Sequence, residues 1–96
     1  MMHRKDLHAM KKHVILSVGD IIVDASIDSI GILLSRVRHI DMIEDDFYVW
    51  EIRWIRHDNP YHETPFTAHL EEEELKTSIV VGLREWHSVN GGTFEL

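Results

Sequence analysis

Runs of strand-forming apolar residues, separated by short polar stretches, dominate the middle of this chain. The longest such run, residues 47–56 (Phe-Tyr-Val-Trp-Glu-Ile-Arg-Trp-Ile-Arg), holds aromatic and β-branched types with no breaker among them. It predicts a long central strand. Alternation sets Tyr48, Trp50, Ile52, Trp54 and Arg56 on one face and Phe47, Val49, Glu51, Arg53 and Ile55 on the other. Upstream, Val14 to Leu16 passes through a Gly19-Asp20 turn signal into Ile21-Ile22-Val23, a first strand. Asp24 to Ser29 is short and polar, and Ile30 to Arg38 predicts a second strand. Ile30, Ile32 and Leu34 are expected to form its core face, ending near Leu34, with Arg36 and Arg38 continuing that face outward. The four acids of Ile40 to Asp46 read as a hairpin loop into the 47–56 strand.

The pattern changes after Arg56. Asn59-Pro60 and Thr64-Pro65 break any regular element and leave a loop from His57 to about Phe66. Glu71 to Glu74, followed by Leu75, Lys76, Ile79 and Val80, predicts a helix with acids in its first turns, where the macrodipole favours them. Gly82 is a helix stop, beyond which Leu83 to Val89 forms a short closing strand. A competing reading continues the helix through Gly82, because Leu75, Ile79, Leu83 and Trp86 also share one helical face. The break is favoured, since a mid-helix glycine costs roughly 1 kcal/mol relative to alanine. Asn90-Gly91-Gly92 is a turn before the C-terminal Thr93 to Leu96.

Short strands in meander order closed by one short C-terminal helix give a mainly β (α+β) domain, expected as a small antiparallel barrel or curled sheet. The runs Ser17-Val18-Gly19-Asp20-Ile21-Ile22-Val23, Ile30-Gly31-Ile32-Leu33 and Tyr48-Val49-Trp50-Glu51-Ile52-Arg53-Trp54 resemble the layout of SH3-like small barrels, in particular short SH3-like proteins of tailed bacteriophages. The resemblance covers about residues 17–56 and consists of turn and core residues. It implies a binding or assembly role rather than catalysis, by analogy of fold.

Charge divides the chain unevenly. Residues 1–13 carry Arg4, Lys5, Lys11 and Lys12 against Asp6 alone, a net +3, while residues 14–96 carry −10, giving −7 for all 96 residues. The expected organisation is a basic N-terminal arm at 1–13 and a single small β-rich domain at 14–96, a length that suits one modest core. The acidic body repels phosphate backbones, so nucleic-acid binding would have to rest on the arm. Protonating all eight histidines would bring the net charge from −7 to about +1 below about pH 6, so solubility is expected to fall with pH. No apolar run approaches the ~20 residues of a membrane-spanning helix, and Met1 to Lys12 lacks the apolar centre of a secretory signal. An intracellular (host cytoplasm) or virion location is expected. The absence of cysteine removes disulfides, thiolate metal sites and a cysteine nucleophile.

Candidate chemistry is thin. His57, Asp58, His62, Glu63 and His69 are the right types for zinc, but they lack the His-Glu-x-x-His order and are interrupted by prolines. Consecutive acids on a helix point about 100° apart, so Glu71 to Glu74 read as a solvated face rather than a cation cage. No serine lies in a Gly-x-Ser-x-Gly elbow, and Gly91-Gly92 has no following helix to cradle phosphate. The sequence predicts no enzyme, no cofactor and no metal.

The leading expectation is a non-catalytic protein-interaction or assembly module, a phage virion or accessory structural protein that binds other protein subunits, self included. A nucleic-acid-associated adaptor using the basic arm and a metal-dependent enzyme using the His57–His69 loop are the alternatives. Candidate interface residues are Arg4, Lys5, Lys11, Lys12, Arg36, Arg38, Trp50, Arg53, Trp54 and Arg56. For Trp50 and Trp54 the competing reading is core packing, because a domain of this size needs large side chains to fill its interior. Glu51 and Arg53 are expected in cross-strand surface ion pairs.

Overall fold

A computed structural model describes residues 9–40, 46–58 and 63–89. Five antiparallel strands form one sheet: β1 (Ile21–Asp24), β2 (Ser29–His39), β3 (Phe47–Arg56), β4 (Phe66–Glu71) and β5 (Glu85–His87). Among the described residues one α-helix, α1 (Glu72–Val80), and a short 3-10 turn (Ala25–Ile27) complete the regular elements beside a helical turn at residues 9–11. The spatial order is β4-β3-β2-β1-β5, so β1 to β4 form a meander and β5 returns beside β1. β4 and β5 remain separate edges. The sheet is open and does not close into a barrel, so of the expectation it is the mainly β antiparallel sheet that the structure bears out.

The first turn follows from its sequence. Asp20 N donates to Ser17 O at 3.1 Å, and Gly19 takes φ 93°, a conformation that glycine adopts without steric cost. Residues 14–17 precede the turn without joining the sheet, although Val14 is fully buried. At the other end of β1, the Asp24 carboxylate accepts from Ser26 N (3.2 Å) and Ser26 Oγ (2.6 Å), and Asp28 closes the 3-10 turn in a left-handed conformation.

Two bulges decide which side chains reach the core. Leu33 pairs with Ile52 while Ser35 pairs with Glu51, so Leu34 is an extra residue in β2. Before it Ser29, Gly31 and Leu33 face the core, and after it Arg36 lies opposite Trp50 on that same side. The expected core face of Ile30, Ile32 and Leu34 is therefore reversed. A second bulge at Ile55 pairs Ile30 with Arg56 and Gly31 with Trp54, which moves Arg56 off the Trp54 face.

α1 lies over the face formed by Ile22, Leu33, Trp50, Ile52 and Trp54, and inserts Leu75, Ile79 and Val80 between them. Burying each of these side chains contributes roughly 1.5–3 kcal/mol. Gly31 allows the closest approach, since a Cβ there would meet Ile52 Cγ2 at 2.7 Å and the Trp54 ring at 2.9 Å. The helix stops as expected: Leu83 N donates to Ser78 O (2.9 Å), Gly82 N donates to Ile79 O (3.2 Å), and Gly82 has φ 84°. That is the Schellman arrangement, and it frees Glu85 to His87 to pair with β1.

β4 was not expected from the sequence. Phe66, Ala68 and Leu70 alternate with Thr67, His69 and Glu71, and the first three pack on the core. The loop centre at 41–45 and the Asn90-Gly91-Gly92 turn lie outside the described residues.

Candidate functional site

The candidate residues divide by the face of the sheet they occupy. Trp50 and Trp54 are buried beneath α1, so they pack the core and form no surface. Trp50 Nε1 donates to Glu72 Oε1 at 3.1 Å, which meets the indole's only donor. Glu72 was expected on a solvated helix face. It is instead turned inward, where Arg36 Nε donates to Oε1 (2.8 Å) and Arg36 Nη2 to Oε2 (2.9 Å). The Arg36 guanidinium also lies over the Tyr48 ring, 3.4 Å from its centroid. Burial pushes the Glu72 carboxyl up, but the hydrogen bonds from Arg36 and Trp50 and the charge of Lys76 outweigh it and leave the group below the ordinary carboxylate range. The Arg36 guanidinium is held above its ordinary value by its hydrogen bond to Glu72. Arg36 is thus committed to the fold.

Three of the five other candidate cations among the described residues also have internal partners. Arg38 donates to Asp46, which holds its guanidinium above its ordinary value. Arg56 reaches Asp28 at 2.6 Å, and Lys11 reaches Glu73 at 2.8 Å. Met10 packs against the core, so the described end of the basic stretch is docked against the body. Lys12 is exposed, and Arg4 and Lys5 lie outside the described residues. Arg53 stands exposed on the face away from α1, in register with Ile32 and Thr67. Across the sheet Glu51 lies 3.5 Å from the His69 ring, and Arg53 has no ion-pair partner among the described residues, so the cross-strand ion pairs expected of Glu51 and Arg53 reduce to this one contact.

The histidine candidates diverge. His57 sits edge-on to Trp54 (5.6 Å) and Phe66 (5.1 Å) at the α1 side, whereas His69 stands beside Glu51 on the other side. His62 lies outside the described residues, and among those described no group of three or more His, Asp or Glu is placed to hold a metal. No described helix is long and apolar enough to cross a membrane.

Two surfaces were not anticipated from the sequence. One is a groove of about 430 Å³ between α1 and the 3-10 turn, with Arg84 and Ser78 among its lining residues. Arg84 Nη1 donates to Ser78 Oγ (3.0 Å), whereas the buried Arg84 Nε lies 3.5 Å from Asp24 Oδ2 and makes no hydrogen bond to the described residues. The other is the outer sheet face. Cross-strand pairs Ile21–Ile32 and Val23–Ile30 form an aliphatic block there, opposite in sense to buried Ile22 and Gly31. Ile21 is 39% exposed and Ile55, in the adjoining bulge, 48%. Arg53 borders the block on the β3 side, and Glu85 and His87 border it on the β5 side. The signal for this face was in the sequence as the second apolar register of β1 and β2, Ile21/Val23 and Ile30/Ile32, which a one-sided sheet does not need. The chain matches no protein-family profile, no curated protein and no solved structure.

Proposed function

We propose that this chain is a non-catalytic protein-interaction or assembly module that binds other protein subunits through the sheet face left open by α1. The observation that carries the reading is the block Ile21, Val23, Ile30 and Ile32 on that face. Scattered surface aliphatics need no explanation, but a contiguous block rimmed by charge is the usual composition of a contact surface. The candidate cations Arg36, Arg38, Arg56 and Lys11 are each occupied within the chain, which favours an apolar contact over an electrostatic one. A setting as a phage virion or accessory structural protein follows from the resemblance of residues 17–56 alone.

Capture tests the reading. Full-length chain immobilised on resin and exposed both to lysate of its source and to free chain should retain a defined protein subunit or more of itself. A chain that stays monomeric and retains neither contradicts it.

A further inference from the structure

The aliphatic block has opposite charges on its two sides. Along one row of the outer face the order is His87 (β5), Ile21 (β1), Ile32 (β2), Arg53 (β3), and the next row is Glu85, Val23, Ile30 and Arg56, the last already engaged by Asp28. Among the described residues Arg53 has no ion-pair partner, and the Glu85 side chain, 70% exposed, has a polar contact with His87 alone, at 3.4 Å. We propose that the occupant of this face is a second copy of the chain, packed face to face about a two-fold axis that runs along the strands between β1 and β2. The inference rests on the assembly reading above and specifies its partner.

The geometry argues for self-pairing. Such an axis lays β2 of one copy over β1 of the other, so Ile30 and Ile32 meet Ile21 and Val23 twice, as an isologous interface requires. It also lays β3 over β5, bringing Arg53 over the Glu85–His87 rim of the second copy. Arg53 and Glu85 are one row apart, about 7 Å along the strands, and packed sheets lie about 10 Å apart. Two long side chains span that offset diagonally. The pairing recurs on the other side of the axis, so each dimer gains two such contacts. A block centred elsewhere, or rimmed by one sign of charge, would not be self-complementary in this way.

Charge exchange provides the test, read as dimer dissociation constants of the full chain by sedimentation equilibrium. Arg53→Glu and Glu85→Arg should each weaken the dimer about tenfold or more, because each places like charges together twice. The double variant Arg53→Glu/Glu85→Arg should return to within about threefold of wild type. Ile21→Glu, which puts a charge in the centre of the block, should leave a monomer. All of these positions are exposed, and unchanged near-ultraviolet circular dichroism verifies that each variant is folded. A wild-type monomer at roughly 200 μM overturns the inference. A dimer indifferent to all the variants overturns it too, but leaves the assembly reading standing. A monomer that nevertheless captures a different subunit refutes only the second-copy partner, and a monomer that captures nothing refutes both.

Discussion

Arg36 and Glu72, 36 residues apart in sequence, meet through two parallel hydrogen bonds of 2.8 and 2.9 Å across the edge of the core. The pair ties the first turn of α1 to the long hairpin of β2 and β3, and Trp50 joins it from below through its indole N–H. A fork of this kind fixes orientation as well as distance. It sets α1 on one face of the sheet and thereby defines the face that is left open.

Replacing Glu72 should cost stability in a graded manner. Glu72→Ala strands the buried Trp50 N–H and leaves Arg36 unpaired, for a loss of about 2–3 kcal/mol. Glu72→Gln keeps an acceptor and should lose about 1–2 kcal/mol, a figure discounted because the Arg36 side chain is 42% exposed to screening solvent. The Glu72 carboxyl titrates below its ordinary value in the folded chain, so its contribution is fully present above about pH 5 and disappears as pH falls through the depressed folded value. Urea unfolding followed by tryptophan fluorescence at pH 7 and pH 3 should therefore show the gap between wild type and Glu72→Gln shrinking in acid. A gap independent of pH contradicts this assignment.

Asp20 is fully buried and accepts three hydrogen bonds, from Ser17 N, Trp86 Nε1 and Val89 N, each at 2.8 Å. One carboxylate thus joins the segment before β1 to β5 and to Val89 just beyond it. Asp20→Ala should destabilise the chain by about 2–4 kcal/mol by orphaning these donors. The Trp86 indole N–H resonance should move more than that of Trp50. Equal movement of both would argue for a global rather than a local effect.

Gly31→Ala tests the packing of the central strands. The added Cβ would stand 2.7 Å from Ile52 Cγ2 and 2.9–3.0 Å from the Trp54 ring, so β2 and β3 would have to part locally. A loss of about 1–3 kcal/mol is expected in chemical denaturation. A neutral substitution would mean that the Trp54 ring can turn aside without cost.

Much of this fold was legible because local chemistry settled it. Phe47 to Arg56 has strand propensity throughout, Gly19 marks a turn that needs positive φ, and Gly82 ends α1 where the sequence placed the stop. What escaped depends on partners. The bulge at Leu34 exists only relative to β3, and it puts Arg36 rather than Ser35 on the core side after Leu33, which is fully buried. β4 is six residues long and follows a proline-broken loop, so its Phe66-Ala68-Leu70 alternation was too short to stand out. Four consecutive glutamates gave no indication of which would turn inward. Glu72 does so because Arg36 and Trp50 are waiting there, while Glu73 goes to Lys11. The candidate interface residues were chosen by type, and the fold engages six of the ten, Lys11, Arg36, Arg38, Arg56, Trp50 and Trp54, in internal contacts.

The molar mass of the pure full-length chain as a function of concentration tests the central claim most directly. Light scattering from roughly 1 to 200 μM at neutral pH should show the mass rising from 11.3 kDa toward twice that value, as mass action requires of a self-docking face. A mass that remains at 11.3 kDa across the range contradicts the account of the outer face as a docking surface for a second copy.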